Sequence, residues 1–301
     1  MITDQSLFEG KKIGIFGKGG AGKSTFTTLF AHRLAENGLT VCILDADSTN
    51  YGLSGAVGVS TPDQSLLDFF GGMVFSGGDV TCPVDDPTPL ANPMIDLQQL
   101  PAEYRSQNNR SIILLTGGKI AALGAGAGCD GPISKIARDL EIKSGDEDPV
   151  TLVDFKAGFE DSARGVITGL DYGIVVIDPT TASIQLADHM QRMVVQVQNH
   201  VPPATDHLES PDLIAAAQKV YRESRIKELF FVLNKIPDQD TENYLTAKLE
   251  SKGIQADAVL PADPDLTHAW LEANPLESEQ ADPELDRLIK TIESRILQDQ
   301  A

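Results

Sequence analysis

Between Gly17 and Thr25 the chain reads GKGGAGKST. The spacing of Gly17, Gly22, Lys23 and Ser24 fits the phosphate-loop pattern G-x-x-x-x-G-K-[ST]. Small residues at Gly17, Gly19, Gly20, Ala21 and Gly22 let backbone N–H groups approach phosphate oxygens. A helix opening at Lys23 adds unpaired donors and a favourable dipole. Lys23 is expected to neutralise β/γ-phosphate charge and the Ser24 hydroxyl to ligate Mg²⁺, with Thr25 closing the binding stretch. Lys18, directly after the first glycine, is not required by that pattern.

Three carboxylates and an amide stand where such a loop needs them. TVCIL (Thr40–Leu44) runs into Asp45-Ala46-Asp47, and PVTLV (149–153) runs into Asp154. Ligand groups collect at the carboxyl ends of parallel strands. A carboxylate there can hold a Mg²⁺-bound water or orient an attacking water. Phe155 to Glu160 follows as a turn whose Gly158 N–H can sense a γ-phosphate. Leu229–Leu233 leads to Asn234-Lys235, and the Asn234 amide can pair donor and acceptor with an adenine edge. Cys129 precedes a helix start, a position that suits a metal or a redox thiol, although spacing alone favours an ordinary loop thiol. Cys82 lacks ligand partners at any recognisable spacing, and Asp85-Asp86 reads as a turn.

The elements that must position these groups alternate. Apolar runs at 11–17, 40–44, 111–115, 149–154, 172–177, 229–233 and 256–260 read as strands. Helical periodicity follows the loop, with Phe26, Leu29, Phe30 and Leu34 on one face and a stop at Gly38. It returns at 64–70, 133–142, around Met190, at 212–223, and from Asp282-Pro283 onward, where Leu285, Ile289, Ile292 and Ile296 form the apolar stripe. Such alternation implies an α/β fold, a doubly wound, mostly parallel sheet of seven or eight strands with helices on both faces. One P-loop domain spanning 1–301 is expected, with an irregular insertion at about 51–110.

With 301 residues, 41% of them hydrophobic, a substantial core is available. The formal charge of −20 disfavours nucleic acid and anionic membrane as partners and suits docking on another protein. Three scattered cysteines fit a reducing compartment, and the polar first ten residues lack signal-peptide character, so a cytoplasmic protein is expected. No apolar run has the roughly 18 residues of a membrane span.

The string KGGAGKST resembles the deviant phosphate loop of the MinD/ParA/nitrogenase-iron-protein superfamily. That resemblance implies an ATPase that dimerises around ATP, with Lys18 reaching the partner's nucleotide. It implies that Asp47 positions the hydrolytic water, that Asp45 joins the Mg²⁺ shell, that Asp154 is the Walker B carboxylate, and that the Pro261-Ala262-Asp263 loop closes over the base. Within the superfamily, LDAD, GAGAGC, VDFKAGFEDSARG (153–165), VVIDPTTASIQLA (175–187), LNK and LPADP resemble the nickel-insertion ATPases that mature carbon monoxide dehydrogenase. Ala157, Gly158, Glu160, Arg164 and Gly165 carry the most branch-specific part.

The resemblance implies a client metalloenzyme such as carbon monoxide dehydrogenase, and Ni²⁺ or Zn²⁺ held at a dimer interface by Cys129. The chain departs from that family in having Cys129-Asp130-Gly131 where the family has a Cys-x-Cys pair, so Asp130 or an external group would have to complete the ligand set. Lys156 stands where the family has an acidic residue. No cysteine lies in 154–165, which argues against a four-thiolate iron–sulfur cluster. A ParA/MinD-like positioning or assembly ATPase without metal is the alternative.

Overall fold

The computed structural model describes residues 6–74, 77–109, 111–119, 129–145 and 147–300. The strands are β1 (Lys12–Gly17), β2 (Val41–Asp45), β3 (Met94–Asp96), β4 (Ser106–Gln107), β5 (Ile112–Thr116), β6 (Glu141–Lys143), β7 (Val150–Asp154), β8 (Tyr172–Ile177), β9 (Glu228–Ile236) and β10 (Ala258–Pro261). Eight form one sheet in the order β10-β9-β8-β1-β7-β2-β5-β4, parallel except for β4, which runs antiparallel on the β5 edge. The remaining two, β3 and β6, pair in parallel apart from it.

The helices are α1 (Lys23–Glu36), α2 (Leu53–Val57), α3 (Leu66–Phe69), α4 (Gly131–Asp139), α5 (Glu160–Ala163), α6 (Thr181–Gln198), α7 (Pro211–Arg222), α8 (Gln239–Glu250), α9 (Pro264–Leu271) and α10 (Asp282–Gln300). Strands buried on both faces read as unbroken apolar runs, because each face packs on its own layer. Ile13, Ile15, Ile43 and Leu152 pack with Phe26, Phe30, Leu285 and Ile292 on the α1/α10 side. Phe16, Leu44, Val153 and Val175 alternate to the other side, against Ile133, Ile136, Met190 and Val194 of α4 and α6. Among the described residues no helix is long and apolar enough to cross a membrane.

The expected strands are present, with shifts of one or two residues at their ends except for β9, which runs three residues beyond 233 to Ile236. The segment 51–110 is more ordered than composition implies: it holds α2, α3, β3 and β4. The short β3 and β6 carry too few residues to show a period, and they form by pairing with each other.

One buried charge ties the loop-bearing strand to α4. Lys12, at the start of β1, is 4% exposed. Its Nζ donates to the carbonyls of Arg138 (3.0 Å) and Leu140 (2.8 Å). Burial lowers its pKa to about 7, with Arg225 reinforcing the shift and Asp139, Glu141 and Asp171 opposing it. A lysine whose pKa is depressed by folding binds fewer protons in the folded chain than in the unfolded one between those two values. Its contribution to stability therefore rises with pH from about 7 to 10.5 and is lost as pH falls through about 7. Urea unfolding of the wild type and Lys12→Met across that window should show their stability difference shifting toward the wild type as pH rises. A difference independent of pH would contradict the assignment.

Candidate functional site

β1 ends at Gly17, between β8 and β7, where the sheet's connections depart in opposite directions. The loop 17–22 crosses this point and feeds α1. Gly22 has φ +92°, a left-handed conformation that a side chain would strain, and a β-carbon there would meet Asn234 Nδ2 at 2.4 Å. The first intrahelical bond is Phe26 N–H to Gly22 O, 2.8 Å. The preceding N–H groups, at Gly22 to Thr25, have no intrahelical acceptor and face the loop. A β-carbon on Gly20 would meet nothing within 4 Å, so the loop's inner edge is open. A cradle of free donors with an open edge fits a phosphate chain. Lys23 is 7% exposed, and its aliphatic stem lies over Gly17.

The carboxylates converge as the strand register requires. Asp45 on β2 stands opposite Asp154 on β7. Ser24 Oγ donates to Asp154 Oδ2 (2.6 Å), Thr27 Oγ1 approaches Asp154 Oδ1 (3.2 Å), and Asn50 Nδ2 donates to Ser24 Oγ (2.8 Å). Asp154 is fully buried, and burial raises its pKa against the opposing pull of Ser24 and Lys23. Asp45 is raised to about 7, chiefly by burial, with Lys119 opposing and Asp154 and Asp47 reinforcing. Two carboxyls crowded and desolvated beside a serine hydroxyl form an oxygen donor set suited to Mg²⁺, whose charge would relieve both. Asp47 is half-buried, and its Oδ1 accepts from Thr49 N (2.9 Å) and Thr49 Oγ1 (2.6 Å) in a tight turn.

Several contacts were not legible in the sequence. Lys119, after β5, places its Nζ 2.7 Å from Asp45 Oδ2 and 2.6 Å from Asp47 O, so one cation ties both aspartates together. Its position three residues beyond a strand end was the available signal. Asn234 sits beneath the loop and donates Nδ2 to Ala21 O (2.8 Å), while Lys235, at φ +60°, donates Nζ to Gly20 O (2.9 Å). Both residues therefore brace the loop's backbone. Pro261 pairs with Ile236 in the adjoining strand, and Asp263 caps α9, accepting from Asp265 N (3.0 Å) and Ser278 Oγ (2.6 Å). α9 brings Trp270 to the loop, where its Nε1 donates to Thr25 Oγ1 (2.9 Å) and its ring covers Gly52.

The flanking loops are latched. Lys18 Nζ is 3.1 Å from Asp178 Oδ2, beyond β8. Thr180, Ser183 and Lys18 outweigh partial burial and hold Asp178 below the usual carboxylate range. Gly158 N–H donates to Gly17 O (3.0 Å), so γ-phosphate sensing by this group requires that bond to open. Asp130 joins both switch-like loops: Ser48 Oγ donates to its Oδ1 (2.8 Å) and Lys156 Nζ to its Oδ2. Each of its carboxylate oxygens is thus engaged by one of these loops. Lys156, which departs from the family's acidic residue, is the group that engages it. The glycine-rich residues 120–128 before Cys129 lie outside the described residues.

Residues 15–276 match the family model of the CobQ/CobB/MinD/ParA nucleotide-binding domain. An uncharacterised ATP-binding protein of Methanocaldococcus jannaschii is 29% identical over 89% of this chain and 94% of its own length. The carbon monoxide dehydrogenase accessory protein CooC of Rhodospirillum rubrum is 30% identical over 60% of this chain and 67% of its own. Among solved structures, the septum site-determining protein MinD of Pyrococcus horikoshii, complexed with Mg-ADP, superposes with a TM-score of 0.58 at 17% identity, covering 94% of this chain and 95% of that one.

Trp270 is the chain's single tryptophan, so its emission reports on the loop. Titration with Mg-ATP should shift or quench that emission, and Lys23→Ala should weaken the midpoint by about 10- to 100-fold, the scale of losing one well-placed charged contact. Emission unchanged at saturating nucleotide, or an unaltered midpoint in the variant, would contradict this arrangement.

Proposed function

Because the chain belongs to the CobQ/CobB/MinD/ParA nucleotide-binding family, we propose that it is an ATP-hydrolysing dimerisation switch serving the maturation of a client metalloenzyme, of the nickel-insertion type. The observation that carries the switch is the latch on Lys18. This lysine lies at the mouth of the loop, 33% exposed, and is held by Asp178 of its own chain. Exchanging that partner for a phosphate on a second subunit's nucleotide costs one ion pair and gains another. The same cation then serves a resting chain and an ATP-bridged dimer.

In this reading the N–H groups of the loop and Lys23 hold the β- and γ-phosphates. Ser24, Asp154 and Asp45 would hold Mg²⁺, directly or through water, and the ion supplies neutralisation of charge on the phosphate oxygens. Asp47 orients a water in line with the γ-phosphorus. The water oxygen forms the new P–O bond, the bond to the β–γ bridging oxygen breaks, ADP leaves with the electron pair, and the water's proton passes to the released phosphate. Lys18 stabilises charge gathering on the bridging oxygen. Asn234, Lys235, Pro261 and Asp263 line the side on which the base would lie.

The output runs through Asp130. Its two oxygens are held by Ser48, one residue after Asp47, and by Lys156, two residues after Asp154. Rearrangement of either loop around nucleotide displaces the start of α4 and with it Cys129. Support for a metalloenzyme client comes from likeness to CooC, a carbon monoxide dehydrogenase accessory protein, and from a thiol at the element the switches grip. Residues of opposite charge interleave on α10, which packs on the sheet, so that helix has no basic face for a membrane.

Light scattering after size exclusion should show conversion from monomer to dimer with a non-hydrolysable ATP analogue and Mg²⁺. Lys18→Ala should remain monomeric and lose hydrolysis by about 100-fold or more. No change of mass in the wild type, or an equal change in the variant, would overturn the proposal.

A further inference from the structure

The chain brings a second thiol to the one its motif supplies. Cys82 lies in the turn before Asp85-Asp86, 47 residues away from Cys129 in sequence, yet both sit at the start of α4. Gly131 is the point of contact. Its N–H donates to Cys129 Sγ at 3.4 Å. A β-carbon on the same residue would sit 2.4 Å from Cys82 Sγ and 2.5 Å from Cys82 Cβ. Only a residue without a side chain lets the Cys82 turn close onto the helix end at this distance. Cys82 lies close enough to Cys129 to feel its charge.

Both sulfurs sit in turns that backbone hydrogen bonds hold in place. Cys82 starts the sequence Cys-Pro-Val-Asp. The Asp85 and Asp86 N–H groups close the turn onto Cys82 O, at 3.1 and 2.9 Å. Cys129 receives the N–H of the residue two positions on. That bond holds the Cys129 sulfur in a fixed orientation at the helix start. Both cysteines are free and half-buried, accessible to an ion from solvent. Lys135, 4% exposed, pins the turn by donating to Thr81 Oγ1 (2.9 Å) and Asp86 O (3.1 Å).

We infer that Cys82 and Cys129 of the same chain form a two-thiolate site for a soft, thiophilic cation such as Ni²⁺ or Zn²⁺. The thiol missing from the Cys-x-Cys position is supplied from the segment 51–110, across Gly131. Among the described residues no third His, Cys, Asp or Glu joins them, so water, a client ligand or a second copy fills the remaining positions. Open positions suit an ion that is to be handed on. On binding, each thiol releases its proton to solvent as its sulfur lone pair is donated to the metal, so affinity rises with pH. Cys129 directly precedes Asp130, the residue held by both nucleotide loops, and Cys82 packs on Gly131 directly after it, which places the ion at the output of the switch. The inference rests on the metal-handling part of the proposed function and adds the second ligand and its origin.

The test is Zn²⁺ binding by competition with a chromogenic chelator, and Ni²⁺ binding by sulfur-to-metal charge-transfer absorption, on the full chain under reductant. Cys82→Ser and Cys129→Ser should each weaken Zn²⁺ by at least about 10- to 100-fold, the loss that follows removal of even a supporting group, and each should abolish the charge-transfer band. Far-ultraviolet circular dichroism and Mg-ATP-dependent Trp270 emission check that the variants fold. Alkylation of the wild type provides a second measurement that needs no variant: Zn²⁺ should protect Cys82 and Cys129 together, and buried Cys42 should stay unreactive throughout. Zn²⁺ bound equally by Cys82→Ser but lost in Cys129→Ser would overturn the pair while leaving a metal at Cys129. Failure of the wild type to bind either ion, or a Cys82–Cys129 disulfide as the only linkage, would overturn both the pair and the metal-handling reading.

Discussion

The site depends on the register of three parallel strands. β1, β7 and β2 lie side by side, so Gly17, Asp154 and Asp45 reach the same edge of the sheet. The Ser24–Asp154 hydrogen bond closes that geometry, joining the first turn of α1 to the end of β7. Moving any of these strands by one residue would turn its terminal side chain to the opposite face. Two packed layers, one on each face, prevent that slip. The cost is electrostatic: Asp45 and Asp154 are both desolvated and raised in pKa, a strain that a divalent cation would relieve.

Around this fixed edge the chain arranges contacts that can be exchanged. Lys18 with Asp178, Gly158 N–H with Gly17 O, Lys119 with Asp45 and Asp130 with Ser48 and Lys156 each join a loop to a rigid strand end or helix start. All are polar contacts, which a charged ligand can compete for. A nucleotide offers competing charges to several of them at once. Asp130, between Cys129 and Gly131, is the point at which such exchanges would meet the start of α4.

Much of the fold was legible because it is local. Apolar runs such as 12–17 and 172–177 can be buried only as central strands, and the glycine–lysine–serine spacing fixes its own strand–loop–helix context. The small pair β3–β6 was not legible, since three-residue strands carry no period. Asn234 was read for its amide chemistry, while its placement beneath Ala21 depends on how β9 meets the loop. Trp270 and Lys119 reach the site from α9 and from beyond β5, and nothing in their neighbours' identities announces it. Cys82 and Cys129 are joined only through the packing of a glycine, a relation between distant positions that one sequence does not display.

The central claim is that nucleotide at the loop is felt at the start of α4 through Asp130. Hydrogen–deuterium exchange of peptides covering 129–139 measures it most directly, with and without Mg²⁺ and a non-hydrolysable ATP analogue. The account predicts that nucleotide changes exchange in this segment, and that Asp130→Asn, which keeps the size but weakens the hold of Lys156, loses most of that change while the loop peptides around 17–25 remain protected. Nucleotide protection at the loop with no change at 129–139 in the wild type, or the same change in Asp130→Asn, would contradict it.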